Sequence, residues 1–195
     1  MLLSEEHMIK NRITYGVMTA GGVMGLVASF LQMLEKIQLL KNADKALACD
    51  LSSVFSCSNV LNAWQSSVFG FPNSMMCMIF FTTFAIIGLV GLTGGVLPRA
   101  LRLSIHGLAL FVLAFALWFL GQSIYVIGSL CILCIFCFAG LLLVNWAWLR
   151  LNADIVPIGP RGRKILARWL QSGADIFIWI VLAAVVAFAM VLRFY

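Results

Sequence analysis

From Leu103 to Leu149 the chain carries no charged side chain, and only His106 could acquire a charge. Wound as one helix, that run would extend about 70 Å at about 1.5 Å per residue. A bilayer's hydrocarbon core is only about 30 Å thick, so the run has to cross, turn and cross again. The turn falls best in Gly121-Gln-Ser-Ile-Tyr-Val-Ile-Gly-Ser129, which combines glycines with polar residues. Spans at about 101–122 and 130–149 result.

Other uncharged runs follow the same rule. Ile13–Leu34 lies between Arg12 and Glu35, and no charge occurs between Asp50 and Arg99. The second half of that latter stretch, Asn73–Leu97, reads as a span that Pro98 ends. A last run, Ile176–Leu192, extends back toward Trp169 as a fifth span. The composition agrees: 63% of the residues are apolar and 10% charged. A soluble domain of this size cannot hide so much apolar surface, and a disordered chain has the opposite balance. The expected fold is an all-α integral membrane protein.

Lysine and arginine placement sets the expected sidedness, because cytoplasmic loops hold the excess. With the N-terminus inside, the inner segments hold Lys10, Arg12, Arg99, Arg102, Arg150, Arg161, Arg163, Lys164 and Arg168. The outer segments hold Lys36, Lys41, Lys45 and Arg193. Trp146, Trp148 and Trp169 flank the inner loop as an aromatic belt would, and the C-terminus falls outside. The first span is too long for a signal-peptide core and reads as an anchor. The basic cluster Arg161-Gly-Arg-Lys164 is a topology signal near anionic lipid; the net charge of +6 needs no nucleic acid to explain it.

This topology sorts the six cysteines. Cys49 and Cys57 fall in an outer loop at about 40–72, and Cys131 and Cys134 open the fourth span just past the outer turn. The outer side is the oxidising side. Cys131-Ile-Leu-Cys134 puts two sulfurs on one helical turn, where a disulfide can form and break. The free N–H groups and dipole of a helix N-terminus favour the thiolate, which is the nucleophile in exchange. Cys49 and Cys57 read as a second pair. They form either a static bridge that closes a small loop or a shuttle that exchanges with an external protein. A zinc site is disfavoured by the oxidising side and the lipid-embedded pair, and no metal is expected. Cys77 and Cys137 read as buried packing thiols, and His106 as a packing histidine.

In sequence order, Cys49-Asp50, Ser56-Cys57-Ser58, Phe69-Gly70, Asn73-Ser74 and Cys131-Ile-Leu-Cys134 resemble the vitamin K epoxide reductase family over about residues 13–150. The resemblance implies a four-helix transmembrane bundle around a quinone site, at residues 1–150. A basic cytoplasmic loop, 151–171, and a fifth transmembrane helix, 172–195, follow it. It also implies roles. Cys131 and Cys134 are the active-site pair, with Cys134 facing the quinone and Cys131 exchanging with Cys57. Cys49 faces a protein partner, with Ser56 and Asp50 supporting the loop. Asn73 hydrogen-bonds a quinone oxygen, with capping of its helix as the other use of that side chain. Phe138 stands where mammalian members have a hydrogen-bonding tyrosine, and Leu61 where they have phenylalanine, so quinone specificity is expected to differ. Phe80 and Phe69 are further candidates for the quinone wall.

The expected reaction is oxidation of a partner's dithiol with reduction of ubiquinone or menaquinone, in support of disulfide formation in exported proteins. Some bacterial relatives carry a fused thioredoxin-like domain after such a fifth span. This chain stops at Tyr195, so a separate DsbA-like thioredoxin-fold partner is expected, in a bacterial cytoplasmic membrane with the site on the outer face. Three rivals remain. The disulfide-forming protein B type runs the same chemistry, but its CxxC lies in the first outer loop. A non-enzymatic scaffold would hold a structural Cys49–Cys57 bridge. A transporter would need intramembrane charges, which these spans lack.

Overall fold

A computed structural model describes residues 2–42 and 47–194, the side chains of 2–10 excepted. Lys45 of the outer basic set lies outside the described residues, as does the side chain of Lys10. Among the described residues the secondary structure is helical, with a single isolated bridge. The helices are α1 (Leu2–Lys41), α2 (Cys57–Asn62), α3 (Asn73–Leu92), α4 (Arg99–Gln122), α5 (Ile132–Leu151), α6 (Pro160–Ser172) and α7 (Asp175–Phe194). Five are long and apolar enough to cross a membrane: α1 from Asn11, α3, α4 with the turn that follows it, α5 and α7. The chain is an all-α, multi-pass membrane protein.

Element boundaries follow local chemistry. Proline precedes α3 and α4 and opens α6, where the missing N–H costs no helical bond. Gly128 and Gly173 end their segments at φ 71° and 73°, a left-handed conformation that glycine adopts without a Cβ clash. Several boundaries differ from expectation. α3 ends at Leu92, five residues before Leu97, because Thr93 and Gly94 turn the chain. The reversal between α4 and α5 is tighter than the sequence suggests. Helical structure continues through a π-type turn at Ser123–Ile127, and the chain turns only at Gly128–Leu130. The basic connection at 151–171 holds helix α6, none of which is buried.

α1 lies between α3 and α5, and α4 packs on α5. In lipid, association rests on close packing rather than on removing apolar surface from water. Small residues permit that closeness. A Cβ on Gly22 would come within 2.6 Å of the Ala85 backbone on α3, and one on Gly140 within 2.7 Å of the Gly21 carbonyl. Met18, Phe81, Phe84, Val144 and Trp148 fill the centre.

At the end away from the CxxC, Arg102 donates to the Leu151 carbonyl and to Asn152 Oδ1 at 3.0 Å, serving the buried C-terminus of α5. His106 is buried there and stacks on Trp148, rings 6.2 Å apart. α7 packs on the flank of this bundle through Trp179, Leu182, Val186 and Met190. Its start is fixed by a buried pair, Arg150 Nε and Nη2 to the two Asp175 oxygens at 2.6 and 2.7 Å.

Candidate thiol site

The segment 47–72 folds back over the start of α5, and backbone pairing sets its position. Phe55 and Leu130 form a parallel bridge, with the Leu130 N–H 2.7 Å from the Val54 carbonyl. Asn59 Nδ2 donates to Ser129 Oγ at 3.0 Å. Lys36 of α1 donates to the Leu61 carbonyl, as does Ser66. A buried satellite cluster forms beneath: Leu39, Leu47, Cys49, Cys57, Val60, Leu61 and Cys131.

Asp50 holds this loop together. Its carboxylate accepts from the Leu47 N–H (3.0 Å), Ser56 Oγ (3.1 Å), the Ser58 N–H (3.0 Å) and the Ser58 hydroxyl. Partial burial works to raise its pKa, but the Ser58, Leu47 and Ser56 donors outweigh it and hold the carboxyl below its ordinary value. Ser56 also caps α2 by accepting from the Asn59 N–H at 3.3 Å.

The loop delivers Cys57 to the CxxC. Cys49 and Cys57 are joined in a disulfide, and Cys131 and Cys134 are free thiols. Cys57 Sγ lies 3.3 Å from Cys131 Sγ, and both residues are almost completely buried, 0% and 1% exposed. Cys131 occupies the N-cap position of α5. The Cys134 and Leu133 N–H groups donate to its sulfur. On the far side, Gln32 Nε2 lies 3.1 Å from Cys134 Sγ.

Cys134 faces an apolar cavity of about 70 Å³ between α1, α3, α4 and α5. That is several times the space one buried water needs. Leu61, Asn73, Phe138, Phe115 and Leu120 are among its lining residues, together with Gln32 and Lys36. Asn73 donates to the Gln65 carbonyl at 2.7 Å and does not cap α3; its Oδ1 is buried with no partner. Phe69 and Phe80 line a smaller adjoining cavity that shares Asn73 and Phe115 with the first.

The structure thus gathers Cys134, Asn73, Leu61 and Phe138 around one space, with Phe69 and Phe80 beside it and Cys49, Cys57, Ser56 and Asp50 above. Cys77 and Cys137 pack in the core as expected, Cys137 buried and Cys77 half-buried, and both also line the cavity. Gln32, Lys36 and Ser66 are site residues that the sequence reading missed. A glutamine inside an otherwise apolar span was the available signal for the first.

An all-α membrane bundle with one disulfide seated on a buried CxxC and an apolar cavity beneath defines a membrane protein of thiol chemistry. Curated proteins give no match to the chain. The profile of the vitamin K epoxide reductase family matches residues 16–149, and the chain belongs to that family. Membership places it among membrane oxidoreductases in general.

Proposed function

We propose that the protein oxidises the dithiol of a separate thioredoxin-fold partner of the DsbA type and passes the electrons to a membrane quinone, ubiquinone or menaquinone. The reaction supports disulfide formation in exported proteins. The 3.3 Å approach of Cys57 to Cys131 carries this reading, because it joins an oxidised loop pair to a reduced CxxC whose second sulfur borders an apolar cavity. Residues 1–150 act as the catalytic unit, with 151–171 and 172–195 as its basic connection and flanking helix.

The relay is a series of thiol–disulfide exchanges. The partner's thiolate attacks Cys49, and its second thiol resolves the mixed disulfide, leaving Cys49 and Cys57 reduced. Cys57 then attacks Cys131 of the Cys131–Cys134 disulfide, and the electron pair leaves with Cys134. Attack of Cys49 on Cys57 restores the loop disulfide and frees Cys131. The described state, with loop pair oxidised and CxxC reduced, fits the moment after this hand-over. Two electrons and two protons then pass from Cys131 and Cys134 to the quinone, which leaves as hydroquinone as the CxxC disulfide closes.

The cavity residues suit such a substrate. Leu61, Phe138 and Phe115 give apolar walls, and the unpartnered Asn73 Oδ1 can accept from a hydroquinone hydroxyl. The second Asn73 N–H can serve a quinone oxygen. Phe138 donates nothing, so the chain lacks a hydroxyl at a position where mammalian relatives have one, and epoxide reduction is not proposed.

Purified protein mixed with a reduced DsbA-like protein and either quinone should turn over, with quinone absorbance falling. Cys134→Ala should lose at least about a thousandfold and accumulate a Cys57–Cys131 linkage on non-reducing peptide mapping. Quinone reduction by Cys134→Ala at the wild-type rate would overturn the proposal. Intact biological function after loss of Cys131 and Cys134 would favour a scaffold with a structural loop bridge.

A further inference from the structure

We infer that Gln32 of α1 is a catalytic residue of the thiol–quinone reaction, whose amide holds the negative charge on Cys134 when that sulfur leaves as a thiolate. This deepens the proposed function and rests on it.

Three observations meet at this side chain. Gln32 is buried, 6% exposed, near the CxxC end of a membrane-spanning helix. Its amide nitrogen lies 3.1 Å from Cys134 Sγ and 4.0 Å from Cys131 Sγ. It also lines the cavity into which Cys134 opens. The amide donor is directed at sulfur.

The chemistry gives that donor a task. When Cys57 attacks Cys131, the Cys131–Cys134 bond breaks, the Cys57–Cys131 bond forms and the electron pair stays on Cys134. A thiolate in an apolar setting is unfavourable unless something donates to it. Cys131, at the helix N-cap, has the N–H groups of Leu133 and Cys134. Cys134 lies in the first turn of α5, but its own N–H is turned to Cys131, and from Ile135 onward the N–H groups are taken by the helix itself. Among the described residues, Gln32 is the donor that reaches it from outside α5. The 4.0 Å distance to Cys131 places both CxxC sulfurs about the same amide, so the hydrogen bond can shift with the charge as the disulfide opens and closes.

The test reads thiolate character without quinone. Reduced full-length wild type, Gln32→Met and Gln32→Glu are treated with iodoacetamide at pH 7, and alkylation of each cysteine is followed by mass spectrometry. Gln32→Met keeps the length of the side chain and removes the donor. Alkylation of Cys134 should fall about tenfold, the size of one hydrogen bond to a charged acceptor, with Cys77 unchanged and the melting temperature within a few degrees. Gln32→Glu places an acceptor against the sulfur and should fall at least as far; it decides the matter if Gln32→Met does not fold. A folded variant whose Cys134 reacts within twofold of wild type overturns the inference. Should Cys134→Ala instead reduce quinone at the wild-type rate, the parent reading falls, whatever the alkylation rates.

Discussion

Asp50 bears more of the site than its distance from the cavity suggests. One carboxylate accepts from four donors spread over Leu47, Ser56 and Ser58, and those residues bracket both loop cysteines. Asp50→Ala leaves those donors unserved and should cost about 1–3 kcal/mol of loop stability, read as faster protease cleavage between residues 47 and 56. The pH dependence has a definite sign. Folding lowers this carboxyl below its ordinary value of 3.8, so its stabilisation is complete above that value and lost as pH falls through the folded one. Thermal melts taken from about pH 4 downward should therefore fall more steeply for wild type than for Asp50→Ala, with little difference in slope above it. At this scale the sequence was informative about cysteines, whose spacing carries their chemistry. It held a signal for Gln32, a glutamine in an apolar span, but did not place that side chain against Cys134 or bring Cys77 and Cys137 to one cavity. Those placements depend on which turn of α1 meets which turn of α5, and no local pattern encodes a helix crossing.

Among the elements, α7 is held differently from the bundle helices. Its start is fastened by Arg150 and Asp175, with the guanidinium also 4.7 Å over the Trp146 ring. Asp175 is 1% exposed, so Asp175→Asn leaves an arginine without its counter-charge. Breaking a buried pair from one side costs about 3–5 kcal/mol. The expected result is release of α7, seen as proteolysis within 160–175 in detergent, with α1–α5 still intact. The replacement of both partners by leucine should be milder. α1 meets α3 by another device: Gly22→Leu would drive a side chain into the Ala85 backbone and should prevent the bundle from assembling. A spread of charge-free runs made all five spans legible, since lipid tolerates little else. Helix α6 was hidden because its four basic residues read as a loop signal. In the helix they share one face, opposite Ile165, Leu166, Trp169 and Leu170.

For the whole molecule, the proposed sidedness puts the loop carrying Cys49 outside and α6 inside. Ser52 and Ser172 are exposed at these two places. A membrane-impermeant maleimide should label Ser52→Cys in intact cells above the parent background. It should reach Ser172→Cys only after the membrane is opened. The reverse pattern would place the CxxC in a reducing compartment and remove the basis for the relay.

The bridge between Phe55 and Leu130 has a consequence for traffic through the molecule. The contact that seats Cys57 on Cys131 also shuts both sulfurs away from the surroundings, and leaves Cys49 only 8% exposed. A partner large enough to attack Cys49 needs the loop lifted; the internal hand-over needs it down. The two exchanges cannot share one loop position, so they alternate as the doors of an airlock do. Under the proposed relay, small thiols from outside would have no continuous path to the quinone, and the membrane's oxidising power would be spent on proteins able to open the outer door.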